Sequence, residues 1–338
     1  MAGAPPSLSV ILPNFNHAHL LPRAIKALLA QERPPDEILV IDDASTDNSR
    51  RVVEEFAARV PSVHLICNAT NCGAIPALKR GLELARSRYI YLAAADDWVM
   101  PTFFKRALEK LQANPELGVF CGEAILVDGN TNRVLGVRPA VRPAYRPRSI
   151  DPMETRQLLR RSDNWILTGA SVFRRDCMVS CGGLDEHLGS FADGFLARRI
   201  ALTHGFYYDP HIVAAWTVFT SSYSQTTSLN TQQAQSFLHK VSARLSADPA
   251  FPEWYHAVFE SRWRFATCRL ALMIDPVDHT LVNLMVGRSD FDRKMLKTIW
   301  RLSNGNLARV ATLGWSWLRL RPMTLTALAG TVLCRRFM

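Results

Sequence analysis

Two clusters of acids follow directly on apolar runs. Residues 38–41 lead into Asp42-Asp43-Ala44-Ser45-Thr46-Asp47, and Tyr89-Ile90-Tyr91-Leu92-Ala93 leads into Ala94-Ala95-Asp96-Asp97. Acids and hydroxyls cannot continue a buried strand, so both clusters fall at strand ends, the edge at which open α/β sheets bind ligands. A carboxylate offers only acceptors and selects a base edge that presents a donor, whereas hard divalent cations take oxygen ligands. Two acidic strand ends in one short stretch suggest a nucleotide site. One carboxylate would read a base and another would hold a divalent metal against a diphosphate.

The elements that must position these acids alternate. Apolar runs at 8–12, 38–41, 63–67 and 89–93 are each followed by a helical pattern, at 20–31, 49–59, 75–85 and 102–114. In the second of these helices Val52, Val53 and Phe56 recur at helical spacing, and Asp47 with Ser49 supplies capping chemistry. Such alternation predicts a mostly parallel sheet with right-handed crossovers. A further strand at 119–127, a turn at Asp128-Gly129-Asn130 and a return at 133–137 read as a hairpin. The proline-dense stretch 138–148 forbids helix or central strand and reads as a loop, either a plain connector or a mobile, substrate-facing one. From Thr226 the pattern is helical and rich in aromatics, including Trp254, Tyr255, Phe259, Trp263 and Phe265. Two regions are expected, 7–225 and 226–338.

With 48% hydrophobic and 21% charged residues in 338, the chain can bury a sizeable core. Its net charge of +10 is concentrated at one end. No acid follows Asp292, while Arg293, Lys294, Lys297, Arg301, Arg309, Arg319, Arg321, Arg335 and Arg336 do. The near-neutral remainder argues against nucleic-acid binding. The 7 cysteines show no metal-ligand or CxxC spacing, so free thiols in a reducing, cytoplasmic setting are expected. The start of the chain lacks signal-peptide character, and no apolar run reaches the roughly 20 residues that cross a bilayer.

In order along the chain, Ser9-Val10-Ile11-Leu12-Pro13-Asn14-Phe15-Asn16, Ile41 to Asp47, Asn71-Cys72-Gly73 with Ala77 and Gly81, Tyr89 to Asp97, Gly182-Gly183-Leu184-Asp185-Glu186, and Asp193 before Arg199 resemble a family 2 glycosyltransferase of the GT-A fold. Any one of these matches is weak. Six in sequence, over roughly the first two-thirds of the chain, are specific. The resemblance implies inverting sugar transfer from a nucleotide-diphosphate donor, with a UDP-sugar expected, to a hydroxyl of a glycan or lipid-linked saccharide. Donor contacts would come from Pro13, Asn14, Asp43, Gly73, Lys79 and Asp96. Mg²⁺ or Mn²⁺ would be bound by Asp96, with Asp97 as partial substitute for a missing acid. Asp193 would be the general base. Asp42 is better placed to orient its loop.

Alternatives stand beside these roles. Asp42 and Asp43 can cap the following helix, Asp193 can cap a helix at 194–203, and Lys79 can belong to a solvated helix face. Arg174 and Arg175 face the acceptor or diphosphate, or else solvent. Ala94, Ala192 and Phe219 replace the first acid of the family's DxD element, the acidic neighbour of the base and a metal-binding His. Those losses leave open a second class, an impaired sugar-nucleotide binding protein. Finally, residues 309–338 combine Trp315, Trp317, Leu318, Leu320 and Leu325 with Arg309, Arg319, Arg321, Arg335 and Arg336, which suits peripheral attachment to anionic membrane; a tail packed on the protein is the alternative.

Overall fold

The computed structural model describes residues 7–139, 141–163, 165–219, 228–303 and 305–323. The chain divides into two compact units after Phe219. The expected boundary at 225/226 lies outside the described residues.

The first unit opens with β1 (Leu8–Asn14), α1 (Leu21–Leu29), β2 (Glu37–Asp42), α2 (Ser49–Ala57), β3 (Val63–Cys67), α3 (Ala74–Leu84) and β4 (Tyr89–Leu92). β5 (Trp98–Val99), α4 (Phe103–Ala113), β6 (Val119–Asp128), β7 (Val134–Arg138), β8 (Arg148–Ile150) and α5 (Pro152–Arg161) follow. β9 (Ser171–Arg174), α6 (Arg175–Ser180), α7 (Ala192–His204) and β10 (Phe206–Val218) complete it. The ten strands form one sheet in the order β3-β2-β1-β4-β9-β6-β10-β5, with β7 on β6 and β8 on β10. β1 is covered on both faces, Leu8, Val10, Ile11 and Leu12 all being fully buried, and this explains its continuous apolar run. α1 supplies one covering stripe through Leu21, Ala24, Ile25 and Leu28. α3 lies close on β1 because Gly81 has no side chain: a Cβ there would stand 2.2 Å from Ile11 Cγ2.

β3, β2, β1 and β4 run parallel. β9 is antiparallel to both β4 and β6, and β10 is parallel to β6. The C-terminal ends of β1, β2, β4 and β10 therefore share one edge of the sheet. This direction decides between the two readings of Arg174 and Arg175. Arg174 pairs in register with Tyr89, the first residue of β4, and the Arg175 amide donates to Arg88 O. Both arginines thus lie at the edge opposite the acids. Arg174 is ion-paired there with Asp176.

The proline-dense loop is tied down rather than loose. Arg142 Nε and Nη2 meet Glu123 Oε1 and Oε2, each at 2.7 Å. Glu123 is a fully buried residue of β6 whose Oε1 also accepts from the Tyr208 hydroxyl at 2.6 Å. Tyr145, beyond the tether, is 83% exposed.

The second unit is helical: α8 (Thr231–Ala247), α9 (Tyr255–Met273), α10 (His279–Val286), α11 (Asp290–Leu302) and α12 (Gly305–Leu320). Cys268, Ala271, Leu272, Leu281, Met285, Leu296 and Leu320 form its core, with Trp263, Trp300 and Trp315 packed against them. A capping box at Ser289 and Asp292 starts α11. The reading of residues 309–338 as a lipid-facing set needs revision here. Trp315 and Leu320 turn into the core, Arg319 donates to buried Asp292 at 2.6 Å, and Arg309 pairs with Asp275 at 3.2 Å. Leu325, Arg335 and Arg336 lie outside the described residues. Among the described residues no helix is long and apolar enough to cross a membrane.

Candidate active site

At the shared edge, the ends of β1 and β2 are laced into each other. Asn14 Nδ2 donates to Asp42 Oδ1 (2.9 Å) and to Ser45 Oγ (3.1 Å). Asp42 Oδ2 accepts from the Ser45 amide (3.1 Å) and from Arg50 Nε (2.9 Å). Burial pushes the Asp42 carboxyl up, but hydrogen bonds from Ser45, Arg50 and Asn14 outweigh it and leave the group below its ordinary value. Asp42 is therefore a loop organiser, in line with its expected role. Asn14, expected as a donor contact, is 2% exposed; its Nδ2 is spent on the loop, while its buried Oδ1 has no partner among the described residues. Pro13 stands beside it, paired with Ile41 in the ladder. Asn16 completes the lacing, its Oδ1 accepting from the Thr46 and Asp47 amides at 2.8 and 3.3 Å.

Asp43 is 3% exposed and ties β2 to the start of α3. It accepts from Asn68 Nδ2 (2.6 Å), the Gly73 amide (2.7 Å) and the Cys72 amide, which is shared between its two oxygens at 3.1 and 3.0 Å. Gly73 has φ of +97°, a backbone state that strains other residues, so glycine is required where its amide turns onto the carboxylate. Two carboxylate oxygens offer about four acceptor positions. The Cys72 amide is bifurcated, so three donors already make four contacts, two on each oxygen.

The turn after β4 carries the second pair. Asp97 Oδ1 accepts from the Thr217 amide at 2.8 Å, and the Thr217 hydroxyl donates to Asp96 O. Burial and then the neighbouring Asp96 charge push the Asp97 carboxyl well above its ordinary range, against the Thr217 amide and the Arg23 guanidinium. The Asp96 carboxylate, by contrast, has no hydrogen-bond or ion-pair partner among the described residues. Arg23 of α1 donates to Asp96 O at 2.5 Å and lies 4.3 Å from the Trp98 ring centroid. Sequence reasoning missed Arg23 and Thr217. Nothing in the spacing of an arginine on the first helix, or a threonine 120 residues beyond Asp97, signals either contact.

Asp193 lies in the first turn of α7, half-buried, with Oδ1 accepting from the Gly194 amide at 2.7 Å. α7 ends where β10 begins, at the edge opposite the acids, and spans roughly 20 Å at 1.5 Å per residue. Its start is consequently turned back toward the acidic edge. Ala192 is fully buried, so an acid in its place would lose its hydration. Phe219 packs on the hairpin turn, where a Cβ on Gly129 would come within 2.2 Å of its ring, and offers no ligand. Lys79 lies on the exposed side of α3, where its ammonium is paired with Glu186 Oε1 at 2.7 Å. The described residues contain no cluster of three or more His, Cys, Asp or Glu able to hold a metal.

Residues 9–178 match the sequence pattern of glycosyl transferase family 2. The chain belongs to this family. Among its relatives, the uncharacterized glycosyltransferase YibD of Escherichia coli (strain K12) is 38% identical over 98 residues, 29% of this chain and 28% of that protein. The putative teichuronic acid biosynthesis glycosyltransferase TuaG of Bacillus subtilis (strain 168) is 26% identical over 126 residues, 37% and 50% of the two chains. The chain spans half or less of the length of these curated relatives. In fold it resembles S. aureus TarS 1–349 in complex with UDP-GlcNAc, at TM-score 0.65 and 15% identity over 98% of this chain and 89% of that one. It also resembles the mannosyltransferase PcManGT from Pyrobaculum calidifontis in complex with GDP-Man and Mn²⁺, at TM-score 0.58 and 19% identity over 94% and 88%. The chain thus joins this family's sequence pattern to a GT-A-like fold, with a C-terminal helical unit.

Proposed function

We propose that this glycosyltransferase moves a sugar, with inversion, from a nucleotide-diphosphate donor to a hydroxyl of a glycan or lipid-linked saccharide, a UDP-sugar being the expected donor. One observation carries the reading. Along the acidic edge Asp42, Asp43, Asp47 and Asp97 all hold protein donors, and Asp96 alone among these five acids has none within the described residues.

The residues fit a divalent cation. An unpartnered carboxylate beside a buried one is a like-charge pair that a dication relieves, and Mg²⁺ is commonly held by one or two carboxylates, with substrate phosphates and water completing its shell. Asp96 and Asp97 would hold Mg²⁺ or Mn²⁺. When bound, the ion offsets charge on the departing diphosphate. Asp43 would accept the imino N–H of the base in place of one arm of the bifurcated Cys72 amide, a contact that favours uracil-type edges. Asp193 would remove the proton of the acceptor hydroxyl as its oxygen bonds to the anomeric carbon, and the bond from that carbon to the diphosphate breaks on the opposite side. The bound donors of the two structural neighbours, UDP-GlcNAc and GDP-Man, support a nucleotide sugar.

A donor screen for hydrolysis and transfer with Mg²⁺, Mn²⁺ and EDTA tests this, with NMR of the product to read the anomer. Transfer with retained configuration refutes the inverting reading. Donor binding without turnover instead favours the impaired binding protein that Ala94, Ala192 and Phe219 raise.

A further inference from the structure

We propose that the corner joining α11 to α12 docks on an anionic lipid bilayer. α11 ends at Leu302 and α12 starts at Gly305. Around this corner large apolar side chains point outward: Leu302 is 83% exposed, Leu307 69% and Val310 67%. Further along α12, Leu318 is 57% exposed on the same helical face as Leu307 and Val310, the three standing at offsets of three and eleven residues. The opposite face of α12 is committed, since Ala308, Thr312, Ser316 and Leu320 are buried.

Cations line α11 as it runs into this corner, and another stands at the far end of α12. Lys294, Lys297 and Arg301 recur at helical spacing on α11 and are exposed, and none has an acid partner among the described residues. Arg321 follows α12, also exposed and without an acid partner there. In sequence no acid occurs after Asp292.

The charge pattern selects the occupant. A second copy of this chain would set the same cations against one another, with no acid in either corner to answer them. Nucleic acid would leave the leucines and valine in water. An anionic headgroup layer satisfies both features, taking apolar side chains into its acyl boundary while pairing the cations at its surface. The basic helices, not the packed Trp315, Arg309 and Arg319, would make this contact. The inference does not rest on the transfer reaction.

Full-length protein sedimented with vesicles of phosphatidylcholine, with and without about one-third phosphatidylglycerol, tests it. Binding should require phosphatidylglycerol and weaken with salt. Replacing Lys294, Lys297 and Arg301 together by Gln should weaken partitioning roughly a hundredfold. Replacing Leu302, Leu307 and Val310 together by Ser should weaken it at least about tenfold. These positions are exposed, so thermal melts of both variants should match the parent, and Asp193→Asn should bind vesicles normally. Equal binding to neutral vesicles, a dimer that the Ser variant dissociates, or binding lost only on removal of residues 324–338 overturns the proposal.

Discussion

Removing the Arg142 guanidinium should destabilise the sheet unit far more than removing its partner's charge as well. Glu123 sits in β6 with a side chain 1% exposed and meets both Nε and Nη2 of Arg142, which is 36% exposed. In Arg142→Met the carboxylate stays buried with only the Tyr208 hydroxyl to accept from. Breaking a buried pair on one side costs about 3–5 kcal/mol. The partial exposure of Arg142 places this pair at the lower end, about 3 kcal/mol, or a Tm drop of roughly 6–12 °C for a unit of this size. Adding Glu123→Gln keeps an acceptor for Tyr208 and removes the stranded charge, so the double variant should recover most of the loss. Urea midpoints and thermal melts of parent, both singles and the double complete the cycle. A double variant as unstable as Arg142→Met, or a single variant within about 1 kcal/mol of the parent, refutes the tether.

Four further outcomes are expected. Asp193→Asn should leave donor affinity intact while cutting transfer by about 10²–10⁴-fold; parallel loss of affinity would mark it as structural. Asp96→Ala should abolish the metal-dependent part of donor binding in calorimetry, and unchanged metal dependence would remove it from the site. Asp43→Ala should weaken a uridine-type nucleotide by about 1.5–3 kcal/mol, and in the parent that nucleotide should shield the exposed Cys72 thiol, whose amide Asp43 holds, from alkylation read by mass spectrometry. Asp292 supplies the pH dependence. Burial raises its carboxyl, but the Arg319 and Ser289 hydrogen bonds hold it below 3.8. Its stabilisation is complete above that unfolded value and fades as pH falls through the lower folded one. Asp292→Asn should therefore cost about 1.5–3 kcal/mol at neutral pH and little in strong acid, as urea midpoints will show.

The sequence made the parallel half of the sheet legible because strands buried on both faces are unbroken apolar runs, and because Asp42, Asp43, Asp96 and Asp97 interrupt them. Strand direction was not legible in the same way. Residues 171–173 look like any short apolar strand, yet antiparallel pairing carries Arg174 to the far edge. Long-range partners were equally hidden: Glu186 claims Lys79 across 107 residues, and Asp292 claims Arg319 across 27. A basic tail reads as lipid-seeking until Asp275 and Asp292, both before it, are seen to neutralise part of it. The burial of Asn14 was hidden too, because burial at a strand end depends on the loop that folds over it.

The clasp between Asp97 and Thr217 bears on how such enzymes can be recombined. The family pattern ends at residue 178, but the turn that carries Asp96 and Asp97 is closed by β10, well past that limit. The two portions therefore do not separate into independent modules. A chimaera that imports a new C-terminal portion to change the acceptor also imports a new clasp. It can keep the Asp96–Asp97 turn in place only if a backbone amide and a hydroxyl return to the positions Thr217 now fills.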